Sequence, residues 1–121
     1  MTHQSPINPE TLASLRELQV ESGPEVFDEL LTIFVTNGAR LVSRIKTAAA
    51  QNDLPALKKG AHALKGSSAS MGALHLSALC TVLDQMEPDS TINTIQQAQQ
   101  IELEFERAQS FLRAELSSSQ S

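Results

Sequence analysis

Leu54-Pro55-Ala56-Leu57-Lys58-Lys59-Gly60-Ala61-His62-Ala63-Leu64-Lys65-Gly66-Ser67-Ser68-Ala69-Ser70 is the stretch whose reading decides the fold. Wrapped at about 100° per residue, Leu54, Leu57, Ala61, Leu64, Ser68 and Met71 share one apolar sector, and His62 lies on the far side. The segment therefore predicts an amphipathic helix that buries one stripe and turns His62 toward water or a partner. Asn52-Asp53-Leu54-Pro55 starts it, with Asp53 as the expected cap and Pro55 at an early position whose missing N–H costs nothing.

Upstream, Ser22-Gly23-Pro24 breaks the chain. Phe27, Leu30, Leu31, Phe34, Leu41, Ile45 and Ala48 then recur at spacings of three, four and seven, which predicts a long helix from about Pro24 to Gln51. Before the break, Ile7-Asn8-Pro9 predicts a short first helix capped by Asn8, with Leu12, Leu15 and Leu18 on one face. Downstream, Met71-Gly72-Ala73 interrupts the pattern, which resumes with Leu76, Leu79, Val82, Leu83 and Met86 until Pro88. Asp89-Ser90-Thr91 precedes a final helix carrying Ala98, Ile101, Phe105, Ala108 and Leu112.

Residues 1–6 and 117–121 read as polar tails around an ordered core of about 8–116. Helices that are apolar on one stripe satisfy one another by packing, and short links make successive helices antiparallel neighbours. The expected fold is all-α, an antiparallel four-helix bundle with a short extra N-terminal helix, and residues 1–121 form one domain.

Composition agrees. The chain has 121 residues, 40% of them hydrophobic, with four Phe and no Trp or Tyr, so its core must be built from aliphatic residues that suit helices. A formal charge of −5 argues against a sequence-independent grip on nucleic acid. Nowhere do about 18 apolar residues run together, so no membrane insertion is expected. The single Cys80 cannot form an internal disulfide, and the N-terminus shows no secretory pattern; a cytoplasmic setting is expected. Met1 and the polar tail favour a free-standing protein over a module of a longer one.

The chemistry centres on His62. Imidazole is substantially neutral at physiological pH and offers a ring nitrogen lone pair without needing a separate base. Lys58 and Lys65 fall about 40° and 60° from His62 on one side of the wheel and Lys59 about 60° on the other. Such a patch is either solvated surface or what an incoming phosphoryl group requires. Gly66, about 1 kcal/mol worse than Ala in a helix interior, either opens space beside the imidazole or permits a close helix crossing. Ser67 and Ser68 lean toward the core and read as structural residues that bond back to carbonyls.

Ala61-His62-Ala63-Leu64-Lys65-Gly66-Ser67-Ser68, continuing through Gly72-Ala73 to Leu79-Cys80, resembles the histidine-containing phosphotransfer (HPt) domains of two-component phosphorelays. The resemblance runs from about Pro9 to Leu116. It implies that His62 accepts a phosphoryl group from the aspartyl phosphate of a response-regulator receiver domain and passes it to another receiver. Such a domain is a carrier and not an enzyme: the receiver supplies Mg²⁺ and most of the catalytic groups, and this chain binds no cofactor. Lys65 would stabilise phosphoryl charge. Lys58, Lys59, Ala61, Ala63, Gly66 and Ala69 would meet the partner, the small residues keeping that face flat. Receivers, and a hybrid histidine kinase carrying one, are the expected partners. Where several members of the family place Gln or Glu to orient the imidazole, this chain has Asp84, followed by Gln85. Asp84 otherwise reads as a solvent-facing helix residue, and its shorter side chain would reach His62 through water.

Other readings are weaker. His3, His62 and His75 lack a ligand-spaced partner set, so no metal site is expected. His75 reads as an exposed first-turn residue and Cys80 as a small buried one. Asp28 and Glu29 suit the N-terminal end of their helix. A kinase dimerisation domain would carry an acidic residue and then a proline after its His, which Ala63 and Lys65-Gly66-Ser67 do not match. Four helices in one chain make dimerisation unnecessary, and a monomer is expected. The competing class is a non-phosphorylated helical adaptor that binds receiver or kinase domains.

Overall fold

The computed structural model describes residues 5–120, with side-chain surroundings for residues 5–115. His3 lies outside the described residues. Five helices follow in order: α1 (Pro9–Ser22), α2 (Pro24–Ala50), α3 (Leu54–Ser70), α4 (Leu74–Asp84) and α5 (Thr94–Gln120). Helix α2 packs on α3, α3 on α4, α4 on α5 and α5 back on α2, which closes the four-helix bundle, and α1 lies against α2. The all-α bundle with an extra N-terminal helix is as the periodicity predicts.

The helix starts follow local chemistry. Asn8 Oδ1 accepts from the N–H groups of Glu10 and Thr11, and Asp53 Oδ1 accepts from that of Ala56, so both expected caps satisfy otherwise orphaned donors. The turn into α4 needs Gly72: its φ of +78° favours glycine, and a Cβ there would run into Thr11 of α1. Asn8 N–H also donates to Gly72 O at 2.7 Å, pinning the start of α1 to the α3–α4 corner.

Four boundaries differ from expectation. Pro6 and Ile7 are buried, so the packed region begins inside the expected leader. Helix α4 stops at Asp84 instead of running toward Pro88: Gln85 closes its end with a backbone N–H to Thr81 O, and Met86 packs inward from the turn that follows. Helix α5 begins at Thr94, beyond Asp89-Ser90-Thr91, because Asn93 Oδ1 caps it by accepting from Gln96 N–H. At its other end α5 continues to Gln120, past the expected tail boundary.

The core is aliphatic around one aromatic pair. Leu57, Ala61 and Leu64 of α3 meet Leu76, Cys80 and Leu83 of α4 and Ile45 of α2, all almost fully buried. Phe34 of α2 and Phe105 of α5 pack with ring centroids 5.5 Å apart. Ser67 Oγ bonds back to Leu64 O, as expected, whereas the fully buried Ser68 Oγ has no partner among the described residues. No helix among the described residues is long and apolar enough to cross a membrane.

Gly38 sits where the Phe105 ring crosses α2, and a Cβ would overlap that ring. Ala gains about 1 kcal/mol in helix propensity, but overpacking a closed core costs about 1–3 kcal/mol. Gly38→Ala should therefore lower stability in urea denaturation; an unchanged or raised midpoint would contradict this packing.

Candidate functional site

Helix α3 has a buried side and a wet side. Its apolar stripe is held by α2 and α4, so His62, on the opposite side, has a side chain 70% exposed. The fully buried Ala61 cannot touch a partner, which corrects its expected place on the docking face: it lies on the inner stripe. Lys59, Ala63, Gly66 and Ala69 are exposed, and a Cβ at Gly66 would meet nothing within 4 Å. Gly66 therefore leaves open space beside the imidazole and is not a helix crossing.

The C-terminal end of α4 supplies the rest. Unsatisfied carbonyls give that end a negative pole, and Asp84, its last residue, adds a carboxylate there. Two lysines of α3 answer it. Lys65 Nζ donates to Asp84 Oδ2 at 2.7 Å, and Lys58 Nζ donates to Met86 O at 3.1 Å. Both lysines are half-buried and engaged within the chain.

The same Asp84 oxygen lies 3.3 Å from His62 Nδ1. Asp84 therefore reaches the ring directly, where a water bridge was expected. Gln85 is exposed just past the helix end, and its backbone N–H bonds to Thr81 O; it does not hold the ring. The pairing with Lys65, and secondarily with His62, holds the Asp84 carboxyl below the usual carboxylate range. An ionised carboxylate only accepts, so Nδ1 carries the proton of this bond, and in the neutral ring Nε2 keeps its lone pair. The bond to His62 is longer than the bond to Lys65, so Lys65 has the firmer hold on the shared oxygen.

Other candidates fall away from this centre. His75 is exposed in the first turn of α4. Cys80 is buried, and burial pushes its thiol up to about 12, which keeps it protonated and unreactive. Among the described residues no group of three or more His, Cys, Asp or Glu side chains could hold a metal ion. What the sequence reading missed lies on α2: Arg40 and Arg44, one turn apart, face Lys59 across a groove. Their i,i+4 spacing on the polar side of α2 was the available signal.

Residues 29–117 match the model of the family described as the Hpt domain. The chain belongs to the Hpt domain family. It is similar to histidine-containing phosphotransfer protein 4 of Arabidopsis thaliana, 34% identical over 60% of this chain and 58% of that protein. It is also similar to pseudo histidine-containing phosphotransfer protein 2 of Oryza sativa subsp. japonica, 35% identical over 60% of this chain and 50% of that protein. The chain thus spans between half and three-fifths of the length of these plant relatives. Among solved structures, histidine-containing phosphotransfer protein B (HptB) from Pseudomonas aeruginosa PAO1 superposes with a TM-score of 0.81 at 26% identity, covering 96% of this chain and 98% of that one. The Hpt fold therefore extends over nearly the whole molecule.

The shared carboxylate of this Hpt domain is open to titration. With its pKa lowered by its partners, Asp84 contributes stability that is present above the ordinary carboxylate range and lost as pH falls through its folded value. Carboxyl ¹³C NMR should place the Asp84 midpoint below that of a free aspartate. Lys65→Met should raise it more than His62→Gln does, and the reverse order would refute the assignment of Lys65 as principal partner.

Proposed function

We propose that this Hpt domain is a phosphorelay intermediate. His62 accepts a phosphoryl group from the aspartyl phosphate of a receiver domain and passes it to another receiver. The observation that carries this reading is the exposed imidazole whose Nδ1 lies against the ionised Asp84, so that Nε2 is the ring nitrogen that keeps a lone pair. Family membership and the full-length likeness to HptB support it.

The arrangement around His62 supports a reversible transfer. The Nε2 lone pair attacks phosphorus as the P–O bond to the aspartate breaks, and the departing carboxylate takes that electron pair. The proton stays on Nδ1, where Asp84 stabilises the cationic ring that forms. Return transfer reverses this, with neutral imidazole leaving. Lys65 begins on Asp84, within a turn of His62, and a phosphoryl dianion beside it competes for the same ammonium. Gly66 leaves room for the phosphoryl oxygens and the partner. In this reading the chain is a carrier and holds no cofactor, and Mg²⁺ and most of the catalytic groups belong to the receiver.

One relative bears the name of a pseudo phosphotransfer protein, so likeness at this level does not by itself separate a carrier from a non-phosphorylated adaptor. The exposed, oriented His62 favours the carrier. A phosphorylated receiver should label this protein in an acid-labile, alkali-stable form, and His62→Gln should abolish labelling. Labelling that persists in the variant overturns the assignment, and receiver binding with no phosphohistidine from any receiver tested would favour the adaptor.

The closed bundle is built within one chain, so a monomer is expected. Sedimentation equilibrium of a species near 13.1 kDa would bear this out, and a stable dimer would refute it.

A further inference from the structure

Two lysines of α3 stand on one line toward the end of α4. Lys58 and Lys65 are two turns apart, and His62 lies one turn from each. They grip different parts of the same helix end. Lys65 Nζ holds the Asp84 carboxylate at 2.7 Å, whereas Lys58 Nζ donates to the backbone oxygen of Met86 at 3.1 Å. The first contact acts on a side chain and the second on the backbone just beyond it.

Asp84 sits where a helix unwinds most easily. It is the last residue of α4, and the segment 85–93 that follows is exposed throughout except for Met86. Last turns fray unless something holds them, and the holds here are Gln85 N–H on Thr81 O, Met86 N–H on Leu83 O, the buried Met86 side chain and Lys58. Among the described residues Lys58 is the only side chain outside 85–93 that hydrogen-bonds to that segment. The reach of Asp84 to the imidazole has little slack. At 3.3 Å its contact with His62 Nδ1 is already long, and a shift of about 0.3 Å would carry it beyond hydrogen-bond range. The ring's tautomer therefore depends on how firmly the end of α4 is held.

We propose that Lys58 is a positioning residue for His62. By fastening Met86 O it keeps the last turn of α4 wound and the Asp84 carboxylate against Nδ1, which fixes the tautomer that leaves the lone pair on Nε2. The two lysines then divide the work: Lys65 neutralises Asp84, and Lys58 places it. The role lies inside the chain, in contrast to the partner contact expected of Lys58 from the helical wheel. Its consequence for phosphoryl transfer rests on the carrier reading, but the tautomer it predicts is read without any receiver.

The test is ¹⁵N NMR of the full chain above the ordinary titration range of histidine, where the shifts of the two His62 ring nitrogens report which one carries the proton. The wild type should hold the Nδ1–H form in the majority. Lys58→Met should move the population toward Nε2–H, and Lys58→Arg, which keeps a donor on a long stem, should restore it. Gln97→Met is the structural control: it removes another cross-helix bond to an α4 carbonyl, that of Leu79, and should leave the ring as in the wild type. Potassium phosphoramidate should label Lys58→Met about threefold or more slowly than the wild type, because the lone pair then sits on the nitrogen that lies against Asp84. This deficit should persist at about 1 M salt, where the Debye length is about 3 Å; a deficit confined to low salt assigns the effect to the Lys58 charge and overturns the positioning role. Circular dichroism checks folding, with Lys58→Gln replacing Lys58→Met if that variant unfolds. A Lys58→Met ring that keeps the Nδ1–H majority overturns the proposal and leaves the carrier reading, which receiver labelling of the wild type decides separately. A wild-type ring already in the Nε2–H form overturns the proposal together with the bond assigned to Asp84.

Discussion

The fold and the site both depend on one constraint, the two-sidedness of α3. Leu57, Ala61, Leu64 and Ser68 must leave water together, and α2 and α4 are the surfaces that receive them. Once that stripe is buried, the 3.6-residue period leaves His62 no inward orientation. Exposure of His62 is thus a by-product of core packing and needs no strained backbone. The same burial brings the end of α4 within reach of Lys65 and Lys58.

The meeting of α3 with the end of α4 is electrostatically self-consistent. A carboxylate at a helix C-terminus is unfavourable alone, since the carbonyls already concentrate negative charge there. Lys65 offsets the carboxylate and Lys58 the carbonyl of Met86, which leaves Asp84 ionised at neutral pH. Ionised, it is an obligate acceptor and selects one imidazole tautomer. The pairing at a helix end and the tautomer of the neighbouring imidazole are tied to one oxygen atom.

Much of this was legible in the sequence because it rests on short-range rules. The caps Asn8 and Asp53, the break at Met71-Gly72-Ala73 and the exposure of His62 all follow from periodicity and turn chemistry. The start of α5 was misplaced because several capping residues stand in a row before Thr94 and local rules rank them alike, and the end of α4 because the apolar pattern continues to Met86, which packs inward from the turn. Ala61 was assigned to the docking face on its small size, although its place on the wheel beside Leu57 and Leu64 marks it as core. The engagement of Lys58 with Met86 O, and the facing of Arg40 and Arg44 with Lys59, needed three-dimensional placement: residues distant in sequence meet only after α2, α3 and α4 have packed.

The burial of Cys80 has a practical side. Its thiol is shielded by the core and pushed up to about 12, so thiolate-directed reagents find almost no nucleophile in the folded chain. A single cysteine introduced on an exposed position of α5 therefore becomes the one site that maleimide dyes attack. Distance probes between this domain and a docked partner can be attached to the native background, with the wild-type core left intact.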